Sequence, residues 1–205
     1  MKISTHAKTL TMVQIALLSA LVVVLQLFFS QIRIGAVTLN FVLVPIVIAA
    51  VFIGPAAGFF IGALAGITTF VQVFTSGDAF YVFLMTTNPA ATAFLCILKT
   101  AIAGLLAGYA YRLIGMVSKY RSLNVILSSV VCPVVNTGLF VLGMFFIFGN
   151  ALTADAVFGQ MITGSVMTFI LVILVGFNFF IELLLNVILC PILTKALYST
   201  KLFKK

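Results

Sequence analysis

Apolar residues in this chain fall into six long runs, at roughly residues 10–29, 39–53, 56–74, 90–111, 124–148 and 165–193. The runs are separated by short clusters of Gly, Pro, Asn, Thr and charged residues. A helix needs about 20 apolar residues to cross a hydrocarbon layer about 30 Å thick. Backbone groups in lipid must bond within their own segment or within a closed barrel, so runs of this length read as helices. The pattern predicts an all-α integral membrane protein, a six-transmembrane-helix bundle that uses residues 1–205 as a single transmembrane domain. The second run is short for a full crossing, and the sixth is long enough that it must tilt or project beyond the bilayer. Between the second and third runs stand only Gly54 and Pro55, a helix stop followed by a helix start, which predicts a tight helical hairpin.

Within the runs, polar residues are few and therefore informative, because each costs free energy in lipid unless it faces the bundle interior or a wet cavity. Asn178, Glu182 and Asn186 recur every four residues and so share one helical stripe, which must face inward. Lys99 lies in the fourth run, and Asn136-Thr137 follows Pro133 in the fifth, where proline is expected to kink the helix. Gln72 and Asn88 lie near the outer ends of their segments. Three readings of Glu182 stay open: the proton carrier of a secondary transporter, a ligand-binding group, or a structural carboxylate paired with Lys99 or hydrogen-bonded to Asn136. Lys99 either snorkels to water or binds an anionic ligand group, and it is the first candidate for holding a ligand carboxylate.

Small residues form a second pattern. Gly58, Gly62 and Gly66 in the third run, and Gly104 and Gly108 in the fourth, are spaced by four, which lets helix backbones approach closely. Ala16 and Ala20 make a similar pair in the first run, suited either to internal packing or to a partner helix.

Composition agrees with the pattern: 64% of the 205 residues are hydrophobic and 7% are charged, far from the balance of a soluble domain. The net charge of +8 would suggest nucleic acid in a soluble protein; here its distribution matters more. With an even number of crossings both termini share one side, and that side collects Lys2, Lys8, Arg112, Lys119, Arg121, Lys195, Lys201, Lys204 and Lys205. Its loops are therefore expected to be cytoplasmic. The other side carries Arg33, Asp78 and Asp155, with Lys99 within reach. Its loops near 30–38, 75–89 and 149–164 are long, which suits a ligand site opening outward. The loop "TSGDAFYVFLMTTNP" mixes turn formers with Phe80, Tyr81 and Phe83 and is expected to fold back on the bundle.

Catalytic readings find little support. His6 is the single histidine and lies in the N-terminal tail, Asp78 and Asp155 fall in loops, and no P-loop motif occurs. Cys96, Cys132 and Cys190 fall inside apolar runs without CxxC spacing and read as small hydrophobes rather than metal ligands or disulfides. No cofactor is implied. The first run follows Lys2 and Lys8 like a signal peptide but lacks a small-x-small cleavage site, so it reads as a retained helix.

Several segments carry a family resemblance: "ALLSALVVV", "FVLVPIVIAAVFIGPAAGFFIGALAG", "NPAATAFLCILKTAIAGLLAGYAYR", "VVNTGLFVLG" and "NFFIELLLNVILCPIL". In order and character they resemble the substrate-binding S components of energy-coupling factor (ECF) vitamin transporters. The resemblance implies a bundle in the bacterial cell membrane that binds a micronutrient beneath its outer loops. It also implies a shared transmembrane T subunit and two cytoplasmic ATPases as partners, with Ala16 and Ala20 corresponding to the Ala-x-x-x-Ala surface that meets the T subunit. The "NP…K…AG" and "NTGLFVLG" segments look most like the pantothenate-type branch, whose members often have Pro-Arg where this chain has Leu98-Lys99; riboflavin or folate would call for more aromatic stacking. On this reading Lys99 pairs with the ligand carboxylate and Asn88, Asn136, Thr137 and Gln72 supply hydrogen bonds. Asn40 and Tyr81 are further candidates, and the stripe of Asn178 and Glu182 lines or supports the cavity. The alternatives are an S component for riboflavin, folate or another micronutrient, a self-sufficient proton-coupled carrier that titrates Glu182, and a membrane scaffold with no ligand.

Overall fold

Gly54 and Pro55 organise the centre of the computed structural model, which describes residues 5–29, 33–34, 37–38, 40–75, 77–162 and 164–200. Gly54 has φ +137°, a conformation that side chains disfavour, and it ends helix α2 (Leu43–Phe52). Pro55 then opens helix α3 (Pro55–Thr75), where its missing N–H costs nothing. The Arg112 guanidinium lies where a side chain at position 54 would project.

All ten residues of α2 are buried, as its uniformly apolar sequence requires. It packs against α1 (Thr5–Phe29), α3, α5 (Pro89–Val117), α6 (Arg121–Ala154) and α9 (Gly176–Tyr198), and so forms the centre around which the longer helices stand. Ten residues rise only about 15 Å, roughly half the hydrocarbon thickness. Among the described residues, five other helices are long and apolar enough to cross a membrane: Lys8–Phe28, Pro55–Thr75, Pro89–Val117, Arg121–Ala154 and Val166–Tyr198. Their outward faces are apolar, with Leu17, Phe28, Phe60, Phe94, Phe146 and Phe180 exposed, which is the surface a multi-pass membrane protein presents to lipid. Lys2, Lys201, Lys204 and Lys205 lie outside the described residues, as does residue 39, where the second apolar run begins.

The glycines at four-residue spacing form the seam between α3 and α5. A Cβ at Gly58 would meet the carbonyl of Gly104, one at Gly62 that of Thr100, and one at Gly66 that of Cys96. A Cβ at Gly108 would in turn strike Pro55. Two helices at this separation gain dense dispersion contact along their length, the main source of helix association where no water remains to be expelled.

The described parts of the connections carry short elements of their own. Helix α4 (Ala79–Thr87) occupies the third one and buries Phe80, Phe83 and Leu84, so this segment does fold back on the bundle. Asp78 caps it by accepting from the Phe80 N–H (2.9 Å). Two-residue strands β1 (Arg33–Ile34) and β2 (Val37–Thr38) pair antiparallel in the first connection. Helix α7 (Phe158–Met161) follows α6, and Phe158 meets Phe80 and Phe83 at ring-centroid distances of 6.0 and 5.3 Å. These aromatics, with Phe148, Leu152, Phe169 and Leu174, make a second core at the end of the bundle away from Gly54.

The sixth run is not one regular helix. Helix α8 (Val166–Phe169) passes into a π-helical segment, Ile170–Val175, which ends at Gly176 with φ +29° and continues as α9. The wider π turn rotates the helix beyond it, and the buried residues of α9 are then Asn178, Glu182, Asn186, Cys190 and Thr194, one stripe at four-residue spacing. At the far end the Arg121 guanidinium stacks 3.3 Å from the Tyr198 ring centroid and joins the start of α6 to the end of α9.

The glycine seam yields a stability prediction. Gly62→Val should lower unfolding stability in detergent by about 2 kcal/mol or more, because the neighbour is backbone and cannot move aside. A Cβ at Gly138, also helical, would meet none of the other described helices within 4 Å, so Gly138→Ala should be neutral or stabilising by up to about 1 kcal/mol. Equal unfolding midpoints for the two variants would refute the seam.

Candidate functional site

A cavity lies between the central helix α2 and the aromatic end of the bundle. Five of its polar wall residues come from five different places: Asn40 just before α2, Thr69 on α3, Lys99 on α5, Asn136 on α6 and Glu182 on α9. Its apolar wall includes Phe80, Tyr81 and Leu84 of α4, Leu95 of α5, Phe140 and Phe148 of α6, and Leu174 of the π segment. Concave, mostly apolar space with a few convergent polar groups is the usual form of a small-molecule site.

Each charged group has its own partners. Lys99 is 7% exposed, donates from Nζ to Asn136 Oδ1 at 3.4 Å, and sits 5.8 Å from the Phe140 ring centroid. A neutral amide and a ring face compensate a buried ammonium only in part. Glu182 is 3% exposed; its Oε1 accepts from the Asn40 backbone N–H at 2.9 Å and from Asn178 Nδ2 at 3.1 Å. Asn186 Nδ2 donates to the Glu182 carbonyl at 2.8 Å, which extends the polar stripe down α9. The bond from Asn40 also fastens the chain just before α2 to α9 across the cavity wall. Among the described residues no ion pair joins Lys99 to Glu182, so the paired carboxylate expected as one reading from sequence is not formed.

Of the site residues read from the sequence, Asn40, Tyr81, Lys99, Asn136, Thr137, Asn178 and Glu182 line this cavity together. Asn88 and Gln72 do not. Asn88 is exposed and caps α5, its side chain accepting from the Ala91 N–H at 3.0 Å while Pro89 occupies the first turn. The Asn-Pro pair is a helix-start signal, legible as such in the sequence. Gln72 bonds with Gln26, whose Nε2 donates to Gln72 Oε1 at 2.6 Å, and so ties α3 to α1. Thr69 and Thr92 also line the cavity, and in the sequence nothing sets them apart from other threonines in apolar runs. Thr92 Oγ1 donates to the carbonyls of Leu84 and Asn88, both at 2.9 Å, and thereby holds α4 against α5 over the cavity. Ala16 and Ala20 are exposed, on the face of α1 opposite buried Leu18 and Val22. The three cysteines are free thiols, all buried, and Cys96 reaches the cavity wall.

An outward-facing apolar surface, a helix bundle and a mostly apolar cavity with a few convergent polar groups define a membrane protein built to hold a small molecule. The sequence model of the family described as "ECF transporter, substrate-specific component" matches residues 10–194, and the chain belongs to that family. It is therefore a transport component, and the matched region contains every cavity residue named above. Searches of curated proteins and of solved structures gave no match.

The role of Asn88 can be checked by stability alone. Asn88→Ala should lower unfolding stability by about 1 kcal/mol through loss of the α5 cap, whereas Asn88→Ser should keep most of it. If both leave the unfolding midpoint unchanged, Asn88 does not act as a cap.

Proposed function

We propose that this chain is the S component for a small carboxylated micronutrient, with pantothenate first among the candidates, taken up from outside the cell. The observation that carries the reading is the Lys99 ammonium, buried in the cavity wall, where among the described residues its hydrogen bond goes to a neutral amide and the Glu182 carboxylate is near enough to attract it without forming an ion pair. Such a group gains most from an incoming anion, because burial that would otherwise be costly becomes a charge-assisted hydrogen bond. Asn136, Thr137, Asn40 and Thr69 offer neutral hydrogen bonds suited to hydroxyl and amide groups, and Leu95, Phe140 and Leu174 suit a short carbon skeleton. One cation and one carboxylate on different helices, among several neutral polar groups, fit an anionic, hydroxylated amide better than a flat polycyclic vitamin.

In this reading α2 counts as the sixth membrane segment, shortened because it is wrapped by protein rather than lipid. Both termini and the Lys/Arg-rich connections are cytoplasmic, as the positive-inside rule implies. The cavity then opens on the outer side beneath α4. A transmembrane T subunit and two cytoplasmic ATPases supply the work of transport, and the exposed Ala16 and Ala20 on α1 receive the T subunit at close backbone approach.

A thermal-shift series on the detergent-purified chain against pantothenate, riboflavin, folate, thiamine and biotin tests the reading. A ligand at a hundred times its dissociation constant stabilises by about 2.7 kcal/mol, a readily measured shift. Pantothenate should raise the transition, and Lys99→Ala should abolish the rise. A shift with riboflavin or folate alone would replace the substrate. No shift with any vitamin, together with pH-driven uptake by liposomes containing this chain alone, would favour a stand-alone carrier instead.

A further inference from the structure

Among the described residues, Glu182 is the charged group of the cavity wall to which the proposed anion site gives no task. A carboxylate in a membrane-spanning helix is costly, and although Glu182 attracts Lys99 through the cavity, no ion pair joins the two among the described residues. Both hydrogen bonds to its side chain end on Oε1, from the Asn40 N–H and Asn178 Nδ2, and a glutamine could accept both. Among the described residues nothing donates to Oε2, although a carboxylate offers about four acceptor sites and buried polar atoms in native proteins are rarely left unmet. Glu182 lines the cavity, so Oε2 is the acceptor that remains for whatever fills it.

The two charges also sit on different walls. Lys99 and Asn136 belong to α5 and α6, whereas Glu182, Asn178 and Asn40 belong to α9 and the approach to α2. Leu95, Phe140 and Leu174 line the same space. An anion held at Lys99 cannot place a second anionic group against Glu182, because like charges in a low-dielectric cavity repel strongly. What Glu182 admits is a hydrogen-bond donor.

We infer that Glu182 is a specificity-determining ligand contact: its Oε2 accepts a hydrogen bond from a hydroxyl on the part of the ligand remote from the carboxylate that Lys99 holds. The ligand class is then a monoanion carrying a distal hydroxyl, and dianions are excluded. This inference rests on the reading of the cavity as an anion site. It assigns Glu182 to recognition rather than to proton transport or to a structural ion pair.

Isothermal titration of the purified chain with pantothenate, and with its analogue lacking both hydroxyls, tests the contact in the wild type and in Glu182→Gln. The amide oxygen of the substituted side chain can keep the contacts with Asn40 and Asn178, so the variant should fold; its ligand-free unfolding midpoint checks this, with Glu182→Asp as the second variant. A hydrogen bond to a charged group is worth roughly tenfold to a hundredfold in affinity. The wild type should therefore prefer pantothenate to the analogue by at least about tenfold, and both variants should lose most of that preference by weakening pantothenate alone. If both ligands weaken by the same factor, or affinity is unchanged as it would be were a protonated Glu182 the donor, the contact is overturned while the anion site stands. If the wild type does not bind pantothenate by titration or by thermal shift, pantothenate is not the ligand and the contact with its hydroxyl end is overturned.

Discussion

The close approach of α3 and α5 sets the geometry of most of this molecule. With Gly58, Gly62 and Gly66 facing the backbone of Gly104, Thr100 and Cys96, the two helices are fixed in register as well as in distance. Thr100 is locked into that seam, and Lys99, one residue earlier, is thereby held at one depth in the cavity wall. A register slip of one turn would carry the ammonium about 5.4 Å along the helix axis and away from Asn136. The same seam anchors Pro55 beneath Gly108 and so positions the hairpin that buries α2.

Around this rigid pair the site combines fixed and tethered parts. Lys99 and Asn136 come from long helices with extensive packing. Asn40 and the residues of α4 come from connections, each held by a few identified bonds: Asn40 to Glu182, and Thr92 to the end of α4. Local stability follows such contact density, so the connections are the elements expected to open first when ligand enters. The aromatic cluster of Phe80, Phe83, Phe148 and Phe158 gives α4 an apolar underside packed on the bundle.

Much of the helical frame was legible because lipid imposes a simple rule on composition. Gly54-Pro55 marked the hairpin, the spaced glycines marked the seam, and the stripe through Asn178, Glu182 and Asn186 marked the inward face of α9. Each is a local pattern with one physical reading. What stayed hidden depended on contacts distant in sequence. The π segment 170–175 reads ILVILV, an apolar run in which an extra residue per turn leaves no trace except Gly176 after it. Helix α4 was seen only as a loop that folds back, because its nine residues are too few for a clear periodicity. Asn88 and Gln72 resembled the other polar residues near the outer ends of segments. Capping and a tie to Gln26 occupy them, and of the two only the Asn-Pro pair announced its role.

The reading of the site comes down to where a bound anion sits. An experimental structure of the chain with pantothenate would measure this directly. The account predicts ligand in the cavity with a carboxylate oxygen about 2.7–2.9 Å from Lys99 Nζ, and the hydroxyl end turned toward Glu182. Ligand bound elsewhere on the bundle, or lying in the cavity with its carboxylate away from Lys99, would contradict it.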